Sequence, residues 1–155
     1  MRDVRTSSVV ALKEPKSTPK IMSADRSGMS RMPNQKLVLV VDDDPAILKC
    51  VKRLLRQHDY ETILFSSARA FKSHTDYEKA ICVILDIDLR DGSGIELRHH
   101  LKADGVSVPV IYITGNEDPA VREAALKSGC IAFLTKPFSA QALIEPLEKA
   151  SPRCS

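Results

Sequence analysis

Residues 37–45 read LVLVVDDDP, and this stretch decides the fold. It begins with five apolar residues, three of them valine, which is typical of a strand buried on both faces of a parallel sheet. The apolar run stops at Asp42, Asp43 and Asp44, and Pro45 stands where a helix can begin with Asp44 as its N-cap. The stretch therefore predicts a central strand that leads directly into a helix.

The same alternation of strand and helix continues along the chain. Short apolar runs predict five strands, at residues 37–41, 61–65, 81–85, 108–113 and 131–134. The predicted helices start at Pro45, after Ser66 as an N-cap, at Gly94, at Pro119 and after Ser139. Because the two element types alternate five times, we expect one doubly wound α/β domain with a five-stranded parallel sheet and right-handed crossovers.

Helical spacing also predicts which side chains face the sheet. In the first helix these are Ile47, Val51, Leu54, Leu55 and His58. Gly129 is expected to end the fourth helix in a left-handed conformation. Pro146 falls inside the last helix, where it cannot bond to Ala142, and it predicts a kink there.

The charge is distributed unevenly along the 155 residues. The chain has 23 basic and 20 acidic residues, but residues 1–36 hold eight basic and only three acidic ones. This first stretch is also rich in Ser, Thr and Pro, so we expect residues 1–35 to form a disordered basic extension. The predicted domain covers residues 36–150, and residues 151–155 form a short C-terminal tail.

Composition argues against several classes of protein. No apolar run reaches 18 residues, and the first residues lack the pattern of a secretory signal. The four cysteines lie far apart, which disfavours a zinc site or a disulfide scaffold and favours a reduced, cytoplasmic location. Seven aromatic residues and no Trp leave little material for a base-stacking surface.

Acids, a hydroxyl group and a lysine follow the predicted strands at the points where they end. They are Asp42, Asp43, Asp44, Asp86, Thr114 and Lys136. The carboxyl ends of parallel strands meet at one edge of a sheet, so these side chains are expected to be neighbours. Clustered carboxylates repel one another, and a hard cation such as Mg²⁺ removes that repulsion. With a lysine opposite to hold an anion, a spare carboxylate can attack phosphorus, so the pattern predicts phosphoryl transfer to an aspartate.

Taken alone, each of these residues has a simpler interpretation. Asp44 fits an N-cap before Pro45, and Asp91 fits a turn residue in RDGSG at 90–94. Lys136-Pro137 is compatible with an ordinary strand exit. What favours a functional site is that the acids, Thr114 and Lys136 end four different strands.

With these motifs in place, the sequence resembles the response-regulator receiver domain, the CheY-like phosphoacceptor of two-component signalling. The matching segments are VLVVDDDP at 38–45, VILDIDLRDGSGIEL at 83–97, VIYITG at 110–115 and FLTKPF at 133–138. Together they extend over essentially all of residues 36–150, in the order and spacing of the family. The resemblance implies a flavodoxin-like fold with strand order 2-1-3-4-5.

The resemblance also implies a role for each matching residue at the strand ends. Asp86 matches the aspartate that is phosphorylated, and Lys136 matches the lysine that pairs with the phosphoryl group. Asp42 and Asp43 match the acidic pair that binds Mg²⁺ together with Asp86, Asp43 directly and Asp42 mainly through water. The backbone carbonyl of Asp88 would complete the metal site.

Two further residues match the family's switch. Thr114 would hydrogen-bond a phosphoryl oxygen, and Phe133 matches an aromatic residue that turns inward when the threonine moves. A cis peptide bond is expected before Pro137. We also hypothesise that Asp88 and Asn116 set the lifetime of the phosphoryl group.

The partners follow from the same resemblance. The phosphoryl donor would be a phosphohistidine on a histidine kinase or a histidine phosphotransfer protein, and the output would be a changed contact with a downstream protein or a second copy. The chain would be a phosphoacceptor that assists its own phosphorylation and dephosphorylation rather than an enzyme. With five residues after Ala150, a stand-alone receiver without a DNA-binding domain is expected.

Three alternatives to this interpretation fit parts of the sequence. A receiver fold that acts as a binding module without phosphorylation is disfavoured by the intact set of Asp86, Thr114 and Lys136. A phosphatase of the haloacid-dehalogenase type is suggested by Asp86-Ile87-Asp88, but that family carries its motif on the first strand of a longer chain. A calcium loop starting at Asp86 lacks the acid required at its twelfth position, which is Leu97.

Overall fold

The computed structural model describes residues 36–150. The predicted disordered extension at 1–35 and the tail at 151–155 lie outside the described residues. Within residues 36–150, none of the helices combines the length and the apolar character that a membrane crossing requires.

Strands and helices alternate along the described chain. The strands are β1 (Lys36–Val41), β2 (Tyr60–Phe65), β3 (Cys82–Asp86), β4 (Asp88–Leu89), β5 (Gly92–Ser93), β6 (Val110–Thr114) and β7 (Ala132–Thr135). The helices are α1 (Pro45–Gln57), α2 (Ala68–Lys72), α3 (Gly94–Ala103), α4 (Pro119–Ser128) and α5 (Ala140–Ala150), with a 3₁₀ turn at Tyr77–Lys79. The short strands β4 and β5 form an antiparallel pair directly after β3.

The main sheet confirms the predicted fold class and strand order. Its five parallel strands lie in the order β2-β1-β3-β6-β7, so the first strand of the sequence is an inner strand with a neighbour on each side. Val38 and Val40 face the core that α1 and α5 cover, whereas Leu39 and Val41 face the core that α2, α3 and α4 cover. This explains the continuous apolar run at 37–41, since both of its faces are buried under helices.

Helix α1 begins as predicted. Asp44 adopts an extended backbone, its side chain accepts a hydrogen bond from the Ala46 N–H, and Pro45 is the first helical residue. Leu48, Val51 and Leu55 are its buried residues. The prediction that His58 is buried is wrong, because this residue follows the last helical turn and its exposed ring contacts the Leu54 carbonyl oxygen.

Two other helix ends differ from the predictions. The N-cap of α2 is Ser67 rather than Ser66, since the Ser67 hydroxyl accepts the Ala70 N–H at 3.0 Å. Gly129 does end α4, but with φ 90° and ψ 110° it lies outside the left-handed helical region. Pro146 lies inside α5, whose helical assignment continues from Ala140 to Ala150, and the predicted kink stays a prediction.

Candidate functional site

The carboxyl ends of the central strands bring the predicted side chains together. Asp42 follows β1, Asp86 is the last residue of β3, Thr114 ends β6, and Lys136 follows β7. Strands β1 and β3 pair in register, with Val41 opposite Leu85, so Asp42 and Asp86 lie side by side. The in-register parallel sheet therefore places the two carboxylates and the lysine at one edge.

Lys136 bridges the two buried carboxylates. Its Nζ donates to Asp42 Oδ2 at 2.8 Å and to Asp86 Oδ2 at 3.3 Å. Asp42 is fully buried and Asp86 is 3% exposed, whereas the lysine is only partly buried. Burial acts to lower the pKa of Lys136, but its hydrogen bond to Asp42 and the charges of both carboxylates outweigh that effect and raise the pKa. The bridging group is therefore an ammonium ion at neutral pH.

The pKa of Asp86 reflects this crowding. Burial, followed by the negative charge of Asp42, raises the pKa of Asp86 to about 6, against the opposing effect of Lys136 and of the Asp88 N–H. That N–H donates to Asp86 Oδ1 at 3.2 Å. Because the ionised form of Asp86 is disfavoured, a cation bound next to it would stabilise the carboxylate.

The donor set fits a divalent cation. Asp42, Asp43 and Asp86 each offer a carboxylate oxygen, and these oxygens lie within 4.8 Å of one another. Three hard oxygen ligands on one side suit Mg²⁺, which keeps several of its waters. Asp44 does not belong to the cluster, because its carboxylate caps α1 as the simpler interpretation predicts.

Thr114 and Asp88 form a second layer next to the carboxylates. The buried Thr114 hydroxyl donates to Asp88 Oδ2 at 3.1 Å and accepts the Asn116 N–H at 2.9 Å. The Asp88 side chain is thus directed to Thr114, and it is not among the clustered carboxylates. Any other acceptor brought next to Thr114 would have to compete with Asp88 for this hydroxyl group.

Phe133 lies on β7, the strand that Lys136 follows. It is partly buried on β7 opposite Tyr112, and the Arg122 guanidinium lies 5.1 Å from its ring centroid. The ring therefore packs on the core while a cation from α4 covers it. The peptide bond between Lys136 and Pro137 is cis, as expected.

Cys130 lies in the loop between α4 and β7, and its side chain is partly buried. Burial raises the pKa of its thiol.

Three residues near the site were not singled out as site residues from the sequence. Arg90 donates its backbone N–H to Asp43 Oδ2 at 2.8 Å. The Asp91 carboxylate accepts the N–H groups of Ala68 and Arg69, and these hydrogen bonds lower its pKa. Gly94 packs directly against the backbone of Asp86. Together these contacts fix the segment that follows the end of β3.

Gly94 gives a direct test of how closely this segment must approach Asp86. A β-carbon at position 94 would lie 2.5 Å from the Asp86 carbonyl oxygen and 3.1 Å from Cβ of Leu85. Both neighbours are on a central strand and cannot move away, so Gly94→Ala is expected to lower the free energy of unfolding by about 1–3 kcal/mol. Urea unfolding measures this loss.

Gly115→Ala is the matched control. Nothing lies within 4 Å of a β-carbon at Gly115, so this variant should unfold close to the wild type. If the two variants are equally stable, the close approach of Gly94 to Asp86 does not constrain the fold.

Comparison with known proteins places these features in a family. A model of the response regulator receiver domain matches residues 38–148. Among curated proteins, the response regulator protein TodT of Pseudomonas putida is 31% identical over 126 residues, which cover 81% of this chain and 56% of TodT. The transcriptional regulatory protein FixJ of Rhizobium meliloti is 31% identical over 114 residues, which cover 74% of this chain and 56% of FixJ. The chain thus spans about half the length of these curated relatives.

Two solved structures show the same similarity over nearly their whole length. The CheY-like receiver domain protein from Methanospirillum hungatei superposes with a TM-score of 0.67 and 29% identity, covering 74% of this chain and 91% of that one. The structure named FixJ-N superposes with a TM-score of 0.68 and 31% identity, covering 75% and 93%. The matched part therefore corresponds to one complete domain of these proteins.

Proposed function

Because this chain belongs to the response-regulator receiver family of two-component signalling, we propose that it accepts a phosphoryl group on Asp86 from a phosphohistidine donor. The observation that carries this proposal is the position of Asp86. Its carboxylate is held at the end of β3 between the Lys136 ammonium and the acidic pair Asp42 and Asp43. The same geometry is not needed for a domain that only binds another protein.

The transfer uses groups that already lie at the site. A carboxylate oxygen of Asp86 attacks phosphorus in line, an oxygen–phosphorus bond forms, and the nitrogen–phosphorus bond breaks with its electron pair remaining on the donor imidazole. Lys136 stabilises the negative charge on the phosphoryl oxygens, since its ammonium lies 3.3 Å from Asp86 Oδ2. Bound Mg²⁺, held by Asp42, Asp43 and Asp86, would supply further positive charge to the carboxylates and the phosphoryl oxygens.

Thr114 would connect phosphorylation of Asp86 to a structural change elsewhere in the domain. Phosphorylation of Asp86 adds negative charge and three acceptor oxygens next to Thr114, so the Thr114 hydroxyl would exchange Asp88 for a phosphoryl oxygen. Movement of Thr114 would then change the packing of Phe133 on the neighbouring strand. Such a shift between two states alters the surface that a downstream protein or a second copy binds.

The partners and location belong to the same proposal. The donor would be a histidine kinase or a histidine phosphotransfer protein, and the cytoplasm would be the place of exchange. FixJ is named a transcriptional regulator and is about twice as long as the part matched here. Action as a stand-alone receiver, without an attached DNA-binding domain, therefore stays a prediction.

The lifetime of the phosphoryl group should depend on Asp88 and Asn116. Asp88 flanks Asp86 and bonds to Thr114, whereas Asn116 bonds to Thr114 through its backbone N–H. Their side chains can orient or repel the water that hydrolyses the acyl phosphate. Asp88→Ala and Asn116→Ala are therefore each expected to change the dephosphorylation rate about tenfold.

Decay of phosphorylated protein after removal of the donor measures this rate. Glu117→Ala, an exposed neighbour, is the control and should decay like the wild type. Unchanged decay in both Asp88→Ala and Asn116→Ala would sink the hypothesis.

The proposed function itself is tested with a small phosphodonor. The full chain is incubated with acetyl phosphate in Mg²⁺ or in EDTA, and intact mass is recorded. We expect a gain of one phosphoryl group in Mg²⁺ and none in EDTA. No gain in either solution, with the fold shown to be intact by circular dichroism, would favour a receiver fold that binds its partner without phosphorylation.

A further inference from the structure

Arg90 places a positive charge at the entrance to the carboxylate cluster. It lies in the turn between β4 and β5, and its backbone N–H donates to Asp43 Oδ2 at 2.8 Å. The Nε atom of the same residue is 3.9 Å from that oxygen. The Asp43 side chain is 20% exposed, whereas the Arg90 side chain is 89% exposed. The backbone N–H of Arg90 is therefore bonded to the site, whereas its side chain extends into solvent.

The two contacts of Arg90 differ in strength. The backbone hydrogen bond is short and belongs to a turn that the Asp91 carboxylate ties to α2. The guanidinium contact is long and exposed, and such ion pairs hold weakly. The side chain can therefore leave Asp43 while the backbone N–H keeps that carboxylate in position.

The guanidinium also borders open space beside the site. A cleft of about 500 Å³ runs from the cluster between the starts of α3 and α4, and Asp43, Asp88 and Arg90 belong to its lining. Among the described residues that line this cleft, Arg90 is the only basic one. An anion in this cleft, next to Asp43 and Asp88, therefore lies beside the Arg90 cation.

We infer that Arg90 is a further binding residue of the phosphorylation site: its guanidinium competes with the divalent cation for Asp43 and, once displaced, holds the phosphoryl group of the incoming donor. The inference rests on the proposed function, but its first half concerns cation binding alone. A divalent ion near Asp43 is repelled by the fixed charge of Arg90. A planar guanidinium with several N–H donors matches the oxygens of a phosphoryl group.

Cation binding is the first test. The Mg²⁺ dissociation constant of the full chain is measured by calorimetry, without a phosphodonor, for the wild type, Arg90→Ala and Arg90→Lys. Removal of the charge should tighten Mg²⁺ binding about three- to tenfold in Arg90→Ala, and the difference should shrink as salt is raised. Arg90→Lys keeps the charge and should stay within about twofold of the wild type.

The matched control is Arg56→Ala. Arg56 is exposed in the last turn of α1, at the end of that helix away from the site. Its replacement removes the same charge and should leave Mg²⁺ binding unchanged. Wild-type affinity in Arg90→Ala, or equal tightening in Arg56→Ala, would overturn the competition with the cation.

Donor binding is the second test. At saturating Mg²⁺, Arg90→Ala should raise the KM for acetyl phosphate about fivefold, while kcat stays within about twofold. Arg90→Lys keeps the charge but not the planar set of N–H donors, so it should recover only part of the loss. If KM does not change in Arg90→Ala, or if Arg90→Lys recovers the wild-type KM in full, the guanidinium does not hold the phosphoryl group. If even the wild type is not phosphorylated, the proposed function fails. The Mg²⁺ titration then still shows whether Arg90 competes with the cation for Asp43.

Discussion

Asp86→Asn is expected to abolish phosphorylation and, in the absence of divalent cations, to make the domain more stable. The amide cannot attack phosphorus, so intact mass should show no phosphoryl gain from acetyl phosphate. The gain in stability follows from the environment of Asp86, which is 3% exposed and lies beside the fully buried Asp42. Replacing one of two crowded carboxylates by a neutral group of the same shape removes both the desolvation cost and the repulsion.

The pH dependence of this gain has a definite sign. The pKa of Asp86 is raised to about 6 in the folded state, whereas the pKa of an aspartate in an unfolded chain is about 4. Between these values the folded state binds more protons than the unfolded state, so this residue makes wild-type stability fall as pH rises from about 4 to about 6. The stability advantage of Asp86→Asn should therefore be small at pH 4 and reach about 1–2 kcal/mol above pH 6.

Urea unfolding in EDTA at several pH values measures this advantage. Asp44→Asn is the matched control, because asparagine also caps helices and Asp44 lies outside the carboxylate cluster. This control should keep both wild-type phosphorylation and wild-type stability. A loss of stability in Asp86→Asn at pH 7 would contradict the view that the Asp86 carboxylate is held at a cost.

Lys136→Gln is expected to lose phosphorylation as well, but with the opposite effect on stability. Its ammonium is the hydrogen-bond partner that neutralises the fully buried Asp42 carboxylate, at 2.8 Å. Removing the cation leaves a buried carboxylate without a counter-ion, with only the Asp44 N–H bonded to its other oxygen, which should lower the free energy of unfolding by about 2–4 kcal/mol at neutral pH. The phosphorylation rate should fall by about 100-fold or more, because charge on the phosphoryl oxygens loses its stabilising partner.

Lys127→Gln is the control for this variant. Lys127 is exposed on α4 and pairs with Glu123 at 3.5 Å, so its loss should cost under about 0.5 kcal/mol and leave phosphorylation unchanged. The rate is followed by intact mass over time and the stability by urea unfolding. A Lys136→Gln variant that is as stable as Lys127→Gln, or that is phosphorylated at the wild-type rate, would contradict the assigned role of the ammonium.

The fold could be predicted because the apolar runs, the helix starts and the alternation of strands and helices all indicate the same structure. The run at 37–41 is apolar throughout, and this is the pattern of a central strand with helices on both faces. Asp42, Asp86 and Lys136 could be placed together because each follows or ends a parallel strand. Asp44 was separable from them because a following proline marks the start of a helix.

Other features could not be predicted because they depend on contacts between distant segments. The Arg90 N–H reaches a carboxylate 47 positions away, and Asp91 binds backbone groups of α2 that lie 22 and 23 positions away. Neither contact produces a periodic pattern. The close approach of Gly94 to Asp86 is likewise invisible in the sequence, where glycine after serine indicates only a turn. The sequence placed the N-cap of α2 one residue too early, at Ser66, and extended α1 one residue too far, to His58. Such shifts of one position are common at helix ends, because neighbouring residues suit the end of a helix equally well.

The most direct test of the account is to locate the phosphoryl group. The wild-type chain is phosphorylated with acetyl phosphate in Mg²⁺, the acyl phosphate is reduced with borohydride, and the peptides are analysed by mass spectrometry for conversion of aspartate to homoserine. We predict conversion at Asp86 and at none of the neighbouring acids Asp42, Asp43 and Asp88. Conversion at one of those three, with Asp86 unmodified, would contradict the assignment of Asp86 as the phosphoacceptor.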